Sequence, residues 1–428
     1  MTEIVNDLDN LPPDELELLK QKLGKKMPVT IVETRKRSMN FGIVGTGQAG
    51  SRVAEKFHEL GYETVVFNTA QQDLAHIKLP EERKLLLQYG LGGAAKELDI
   101  GREAAESHRN EINDLITKHL EDSHVNILCL SLGGGSGAGS VDTMIEVLQA
   151  QGKPIVVIAV LPMDSDDGQT KSNSLETLAK IAKHIQDRRV QSIIVVDNAK
   201  IESIYSEVSQ LKFFELANEV IVEPIDKFNT LSAEDSPVKA LDSTEWAKLL
   251  IDGEGLTIFG SLVVTNYEDE TSIAEAVLNN LSNNLLAEGF DLTQAKYAGW
   301  IVAANEKVLE KIPQRALTFA NSLVQEKVPG TKTVFRGVYV TNDVDDDVKV
   351  YSCFSGLGLP TSRLDALKKE VASSFAQAKS KDETRNLSLH LDTGKNSTVS
   401  EAQKVKDKIV AKNSSFGKFM GRVTDKRK

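Results

Sequence analysis

Val125-Asn126-Ile127-Leu128-Cys129-Leu130-Ser131 runs through Leu132 into Gly133-Gly134-Gly135-Ser136-Gly137-Ala138-Gly139-Ser140, and this junction decides the fold. Its first half is apolar and reads as a buried strand, while Val141–Gln151, just beyond it, has helical spacing. A glycine-rich loop between strand and helix lets backbone N–H groups approach an anion, and the helix N-terminus adds a favourable dipole. A second junction of the same kind lies upstream, where Met39–Val44 leads into Gly45-Thr46-Gly47-Gln48-Ala49-Gly50-Ser51. Two such loops suit two parts of one polyphosphate, so the pair points to a nucleotide.

Outward from these loops, strands expected at 41–44, 64–67, 125–130, 154–160 and 192–196 alternate with helices at 51–60, 101–120, 141–151 and 172–186. That alternation implies a parallel, doubly wound α/β sheet with its ligand site at the carboxyl ends of the strands. A long helical stretch, Leu211 to about Leu231, then interrupts the alternation, with Pro224 expected to kink or break it. A second unit of α+β or mixed character follows, with strands at 257–264, 297–303, 334–341 and 348–354 and helices at 273–286 and 308–325. The expected divisions are an N-terminal extension with a helix (1–38), a nucleotide-binding domain (39–210), a central helix with the loop after it (211–254), a second domain (255–360), and a C-terminal helix with a flexible basic tail (361–428).

Composition fits this reading and narrows the function. The 428 residues, 40% hydrophobic and 26% charged, suffice for two cored domains with appendages. A net charge of −11 disfavours wrapping of nucleic acid by the whole body, although the end of the chain, from Lys404 to Lys428, is basic. Cys129 and Cys353 lie in apolar runs and read as buried hydrophobes in a reducing compartment. The N-terminus is acidic without an apolar signal segment, and no run of about 18 apolar residues would span a membrane. A cytoplasmic protein is expected.

The upstream loop contains G-x-G-x-x-G, but the strand that follows ends Phe67-Asn68-Thr69-Ala70 without the acidic residue of a dinucleotide site, and no G-x-x-x-x-G-K-[ST] run is present. Gly133–Ser140 resembles instead the GGG[TS]G[TA]G[ST] signature of the tubulin/FtsZ superfamily. Other segments resemble that family in its own order: Gly47-Gln48-Ala49-Gly50, Asn68-Thr69-Ala70-Gln71-Gln72-Asp73, Gly92-Gly93-Ala94-Ala95 with Gly101-Arg102, Asp167-Gly168-Gln169-Thr170-Lys171, Asp197-Asn198, and Phe214–Glu219. The resemblance covers about residues 39–360 and implies a two-domain tubulin/FtsZ-like fold, with a Rossmann-like GTPase sheet, a long central helix and an α+β second domain.

By this resemblance the phosphates of GTP or GDP lie against Gly47, Gln48, Ala49, Ser51, Asn68, Thr69, Gly93, Ala94, Gly133, Gly134, Gly135, Ser136 and Gly137. Asp167 and Lys171 adjoin the ribose, Asn198 and Asn218 read the guanine edge, and Phe214 stacks on the base. Mg2+ is held by phosphates and water rather than by protein ligands. Leu241-Asp242-Ser243-Thr244-Glu245-Trp246 resembles the loop that enters the nucleotide pocket of the next subunit, which makes Asp242 and Glu245 the expected catalytic carboxylates, polarising the attacking water. Ala240 departs from the asparagine usual in that loop. The competing reading of Asp242 and Glu245 is a capping pair on a surface helix.

Within the superfamily, an N-terminal extra helix, a C-terminal helix and a basic tail are most like the TubZ-type segregation tubulins of plasmids and phages. The alternative is an FtsZ-like cell-division or phage-centring filament. The function implied is a GTP-hydrolysing cytoskeletal protein that polymerises head to tail with copies of itself, moving DNA through a DNA-bound adaptor that engages the tail.

Overall fold

Runs of β-branched residues flanked by amphipathic helices cannot leave either strand face to water, so they stack as a parallel sheet between two helical layers. The computed structural model describes residues 36–282, 289–341 and 347–384; the helix expected near 11–23 and the basic tail lie outside them. Strands β1 (Phe41–Thr46), β2 (Glu63–Asn68), β3 (Lys84–Leu86), β4 (Val125–Ser131), β5 (Ile155–Leu161) and β6 (Ser192–Asp197) take the order β3-β2-β1-β4-β5-β6, all parallel. The winding reverses between β1 and β4, which is where open α/β sheets form their ligand crevice. Both glycine loops leave the sheet from these two strands.

Helices α1 (Gly47–Glu59), α2 (Leu98–Ser107), α3 (Arg109–Leu120), α4 (Val141–Ala150), α5 (Gly168–Gln186) and α6 (Gln210–Leu231) cover the two faces. The alternation along β5 shows how. Val156, Ile158 and Val160 join one core with Val53 and Phe57 of α1 and Ile221, Ile225 and Phe228 of α6. Val157, Ala159 and Leu161 join the other, with Ile112 and Ile116 of α3, Met144 of α4 and Ile181 of α5.

After α6 come α7 (Ser243–Leu250), β7 (Gly255–Val264), α8 (Ser272–Ser282), β8 (Tyr297–Ala304), α9 (Gln314–Lys327), β9 (Thr333–Val340), β10 (Val348–Leu357) and α10 (Thr361–Thr384). The four later strands extend the same sheet in the order β7-β10-β8-β9, with β10 antiparallel to both neighbours. The junction is narrow: β6 and β7 pair through Ser192 with Gly255 and Ile193 with Leu256.

Three expectations change. The helix expected over Gly101–Leu120 is two helices meeting at His108, where Ser107 Oγ donates to the Ala104 carbonyl and His108 Nδ1 lies 2.9 Å from the same oxygen. Side chains that compete for the last carbonyls end a helix. The helix expected over Val308–Gln325 is a short turn at Glu306–Leu309 and then α9, because Pro313 takes an extended conformation just before α9. Pro224, by contrast, does not break α6, whose buried Ile221, Val222, Ile225 and Phe228 hold it against the sheet across the missing hydrogen bond. Cys129 and Cys353 are buried free thiols, and burial pushes both pKa values up.

Candidate nucleotide and catalytic sites

The glycines of the two loops divide by what surrounds them. A Cβ on Gly50 would meet the Cys129 carbonyl oxygen at 2.1 Å, and one on Gly137 would meet the Thr46 carbonyl oxygen at 2.8 Å. Gly133, Gly135 and Gly139 are walled in the same way, by Thr170, by Ala94 with the Lys96 amide, and by the Leu98 carbonyl. Gly134 meets nothing within 4 Å. The packed glycines bring the two loops together, and Gly134 leaves its stretch of backbone open. Gly47 has φ +71° and approaches the Gly137 amide, so both space and conformation require glycine there. Thr46 Oγ1 and Ser140 Oγ share a hydrogen bond of 2.9 Å across the crevice. Ser51 Oγ, near the start of α1, is buried with no protein hydrogen-bond partner. An orphan hydroxyl after one glycine loop and an open stretch of backbone in the other fit a phosphate group.

Two further segments close on this crevice. Thr69 Oγ1 bonds Ser136 Oγ at 2.5 Å, the Gly93 amide donates to the Thr69 carbonyl at 2.8 Å, and Asn68 folds onto its own turn through Asp73 and the Ala70 amide. Beyond Ala94, the non-glycine residues Ala95 and Lys96 hold φ of 45° and 66°. Left-handed conformations at such residues cost energy and gather at functional sites. From this loop Lys96 Nζ reaches Asp167 Oδ2 at 2.5 Å. Asp167 also caps α5, accepting from the Thr170 amide at 2.8 Å. These bonds, Lys96 first, hold its carboxyl down to about 2.

On the far side, Asp197 ends β6 and accepts from the Ala199 amide at 3.3 Å, capping the helical turn that starts at Asn198. Adjacent phenylalanines separate in role: Phe213 enters the core, while Phe214 and Asn218 are half-buried. The Arg52 guanidinium lies 5.3 Å from the Phe214 ring centre, so the second turn of α1 meets the start of α6. Lys171 is buried and committed: its Nζ donates to the Asp164 carbonyl at 2.7 Å and pairs with Glu370 at 3.0 Å. Gln48 is exposed and Ala49 half-buried at the crevice rim.

Asp242 and Glu245 form a reciprocal capping box on α7. Asp242 Oδ1 accepts from the Glu245 amide at 2.8 Å, and Glu245 Oε2 accepts from the Asp242 amide at 3.2 Å. The capping geometry anticipated as the competing reading is therefore present, and Asp242 remains exposed. The box is fixed from behind. Trp246 is fully buried, stacks on Phe228 at 5.2 Å and donates to Asn229 Oδ1 at 3.1 Å. Tyr339 brackets Leu241, donating to its carbonyl and accepting from its amide, both at 2.8 Å. Burial and the nearby carboxylates Glu245 and Asp242 push the Tyr339 phenol up to about 12.

This box sits at the other edge of the sheet from the glycine loops. Ser243 Oγ donates to Ser38 Oγ at 2.8 Å, and Asn229 bonds the backbone of Met39 on both sides; both partners lie just ahead of β1. The six residues of β1 put about 20 Å between the two edges. Central helix α6 runs from one edge to the other, 22 residues or about 33 Å.

Arg52, Lys96, Asn229 and Tyr339 are not marked by the sequence. Each is polar and acts across long sequence separation, so no local spacing marks it. Among the described residues no group of three His, Cys, Asp or Glu side chains could hold a metal, and no helix is long and apolar enough to cross a membrane.

Comparison with known proteins places two profiles on the chain: "Tubulin/FtsZ family, GTPase domain" over residues 40–206, and "Tubulin/FtsZ-like protein TubZ-like, C-terminal domain" over 227–368. Among curated relatives, the tubulin-like protein CetZ of Thermococcus kodakarensis is 27% identical over 367 residues, covering 81% of this chain and 90% of its own. The cell division protein FtsZ 1 of Methanocaldococcus jannaschii is 24% identical, with 83% and 90% covered. Among solved structures, a GTPγS-form protofilament of Bacillus thuringiensis serovar israelensis TubZ superposes with a TM-score of 0.73 at 18% identity, over 87% of this chain and 99% of that one.

Proposed function

This chain belongs to the tubulin/FtsZ family of cytoskeletal GTPases, and from that premise we propose that it polymerises head to tail, with the carboxylates of one subunit completing the GTPase site of the next. The observation that carries this reading is the placement of the two sites on opposite edges of one sheet. About 20 Å of strand separates Asp242 and Glu245 from the loops of their own subunit. A second copy stacked on the first brings its box to that crevice.

In this arrangement Gly47, Gln48, Ala49, Ser51, Gly133, Gly134, Gly135, Ser136 and Gly137 supply backbone and hydroxyl donors to the phosphates. Asn68, Thr69, Gly93 and Ala94 close the γ-phosphate side. Asn198 and Asn218 read guanine, whose ring Phe214 covers. Asp167 and Lys171 shape the ribose wall rather than offer free charge, since both already hold protein partners. A bound Mg2+ would neutralise charge on the β- and γ-phosphates. The chain's own part is to hold the polyphosphate by oriented dipoles, while Asp242 and Glu245 orient the attacking water and take its proton.

For the biological role we favour a TubZ-like segregation filament, which the TubZ-like profile over 227–368 supports. The basic tail then engages a DNA-bound adaptor. A cell-division filament is the second reading, supported by the match to FtsZ.

The test is complementation. Gly134→Asp blocks the crevice and Glu245→Gln removes the carboxylate, so each variant alone should lose GTP turnover. Mixed, the intact Glu245 of one serves the intact crevice of the other, and phosphate release should return with filament mass in pelleting. Turnover of the unmutated protein should show a critical concentration. Turnover linear in protein from zero, with no recovery on mixing, would mean each subunit works alone.

A further inference from the structure

We propose that Arg363, near the start of the C-terminal helix α10, is a positioning residue for the nucleotide, holding the base and ribose walls from outside the pocket. This rests on the assignment of Asn198 and of the Asp167–Lys171 segment to those walls. Two segments remote in sequence, those of Asp164 and Asp197, converge on it, together with Glu370 of its own helix. Arg363 Nε lies 2.9 Å from Asp197 Oδ2, one terminal nitrogen donates to Glu370 Oε1 at 3.2 Å, and the other reaches Asp164 Oδ1 at 3.5 Å. Glu370 in turn pairs with Lys171 at 3.0 Å, and Lys171 donates to the Asp164 carbonyl. Three of these side chains are largely out of water, Arg363 at 11% exposed, Asp197 at 5% and Lys171 at 8%, whereas Glu370 is 33% and Asp164 71% exposed. The helix also lies directly on the ribose segment, for a Cβ on Gly168 would meet Ser374 Cβ at 2.7 Å.

The consequence for the pocket runs through Asp197. Its carboxylate caps the turn that begins at Asn198, so its placement sets the direction of that side chain. Burial pushes the Asp197 carboxyl up and the Arg363 charge holds it down. Without the guanidinium a carboxylate is left buried and unpaired, which is strongly unfavourable; it must take a proton or swing out, and either loosens the cap. On the Lys171 side, Glu370 loses one of its two cations and the ribose segment loses its outer support. The attacking-water geometry is untouched, because those carboxylates belong to a different subunit.

The experiment uses the full-length protein. Affinity and release of a fluorescent GDP analogue are measured below the critical concentration, and KM and kcat for GTP above it. Arg363→Met should weaken nucleotide binding by roughly tenfold or more, through faster release and a raised KM, with kcat shifting less than about twofold; supporting partners of binding groups act on this scale. Arg363→Lys should recover most of the loss. Glu370→Gln, at the better-solvated end of the network, should weaken binding in the same direction and reads out the proposal if Arg363→Met fails to fold. A lowered melting temperature with unchanged affinity in the foldable variants overturns it and leaves the network a mere staple. Phe214→Ala separates the two levels: if it weakens binding while Arg363→Met and Glu370→Gln do not, this inference alone fails. If none of the three changes affinity, the pocket assignment fails and this inference falls with it.

Discussion

Gly50 and Gly134 look alike in the sequence and respond oppositely to a side chain. A methyl at Gly50 has backbone 2.1 Å away and nowhere to go, so Gly50→Ala should cost about 1–3 kcal/mol or more in urea unfolding. Gly134→Asp meets open space, so the fold should keep its melting temperature while nucleotide binding drops at least roughly tenfold, since a carboxylate would face the phosphates. A large loss of stability in Gly134→Asp would show that this stretch of loop is packed after all. Asp167 carries a pH prediction. Its folded pKa, about 2, lies below its ordinary 3.8, so the stability it contributes is complete above about pH 4 and is lost as pH falls towards 2. Carboxyl NMR titration should show that low value in the intact protein. Lys96→Ala should move it upward, stopping short of the ordinary value because the Thr170 amide still donates to it. An unmoved titration would mean the Lys96 pair is not formed in solution.

Among the elements, α7 shows how a short helix is held in one orientation. Eight residues have little intrinsic stability. Its capping box fixes the start, and Trp246 pins its inner face to Phe228 and Asn229. Trp246→Ala should therefore destabilise the protein by about 3–5 kcal/mol, measured by urea unfolding. GTP turnover per filament mass should fall with it, because Asp242 and Glu245 lose their common anchor; unaffected turnover would detach catalysis from this anchoring. The same element marks the reach of sequence reading. The capping pattern at Asp242 and Glu245 is local and was legible, as were the parallel strands, because burial on both faces leaves unbroken apolar runs. The three-residue β3 was not, since Lys84-Leu85-Leu86 is too short to show a period. The breaks at His108 and Pro313 leave no mark on the periodicity because the apolar spacing resumes beyond them. In the candidate site, the glycine loops stand out because close backbone approach demands a rare composition. Tyr339 and Asn229 support it through partners 98 and 190 residues away, Leu241 and Met39, and such pairings leave no local trace.

For the whole molecule, the head-to-tail reading gives the ends of the sheet their roles and assigns none in the contact to the basic tail. Deleting residues 401–428 should spare GTP turnover and pelleting. Any recruitment of a DNA-bound adaptor should be lost with the tail, and in the intact protein should weaken steeply with salt, as contacts between lysine-rich segments and anionic partners do. Loss of filaments on truncation would instead make the tail part of the lattice.

The narrow join between β6 and β7 has a mechanical meaning. Neighbouring ladders such as β4–β5 and β5–β6 are paired along six positions, whereas Ser192–Gly255 and Ile193–Leu256 are the pairs that tie the two halves of the sheet together. Connected in series, a stiff plate, a short seam and a second stiff plate bend at the seam. In a growing polymer, curvature imposed by the neighbours would be absorbed there, beside the Leu250 carbonyl that Ser192 Oγ holds at the end of α7. In the proposed head-to-tail filament, flexing would become a tilt of the helix that carries Asp242 and Glu245, and a bent subunit would present these carboxylates to the next nucleotide at a different angle from a straight one.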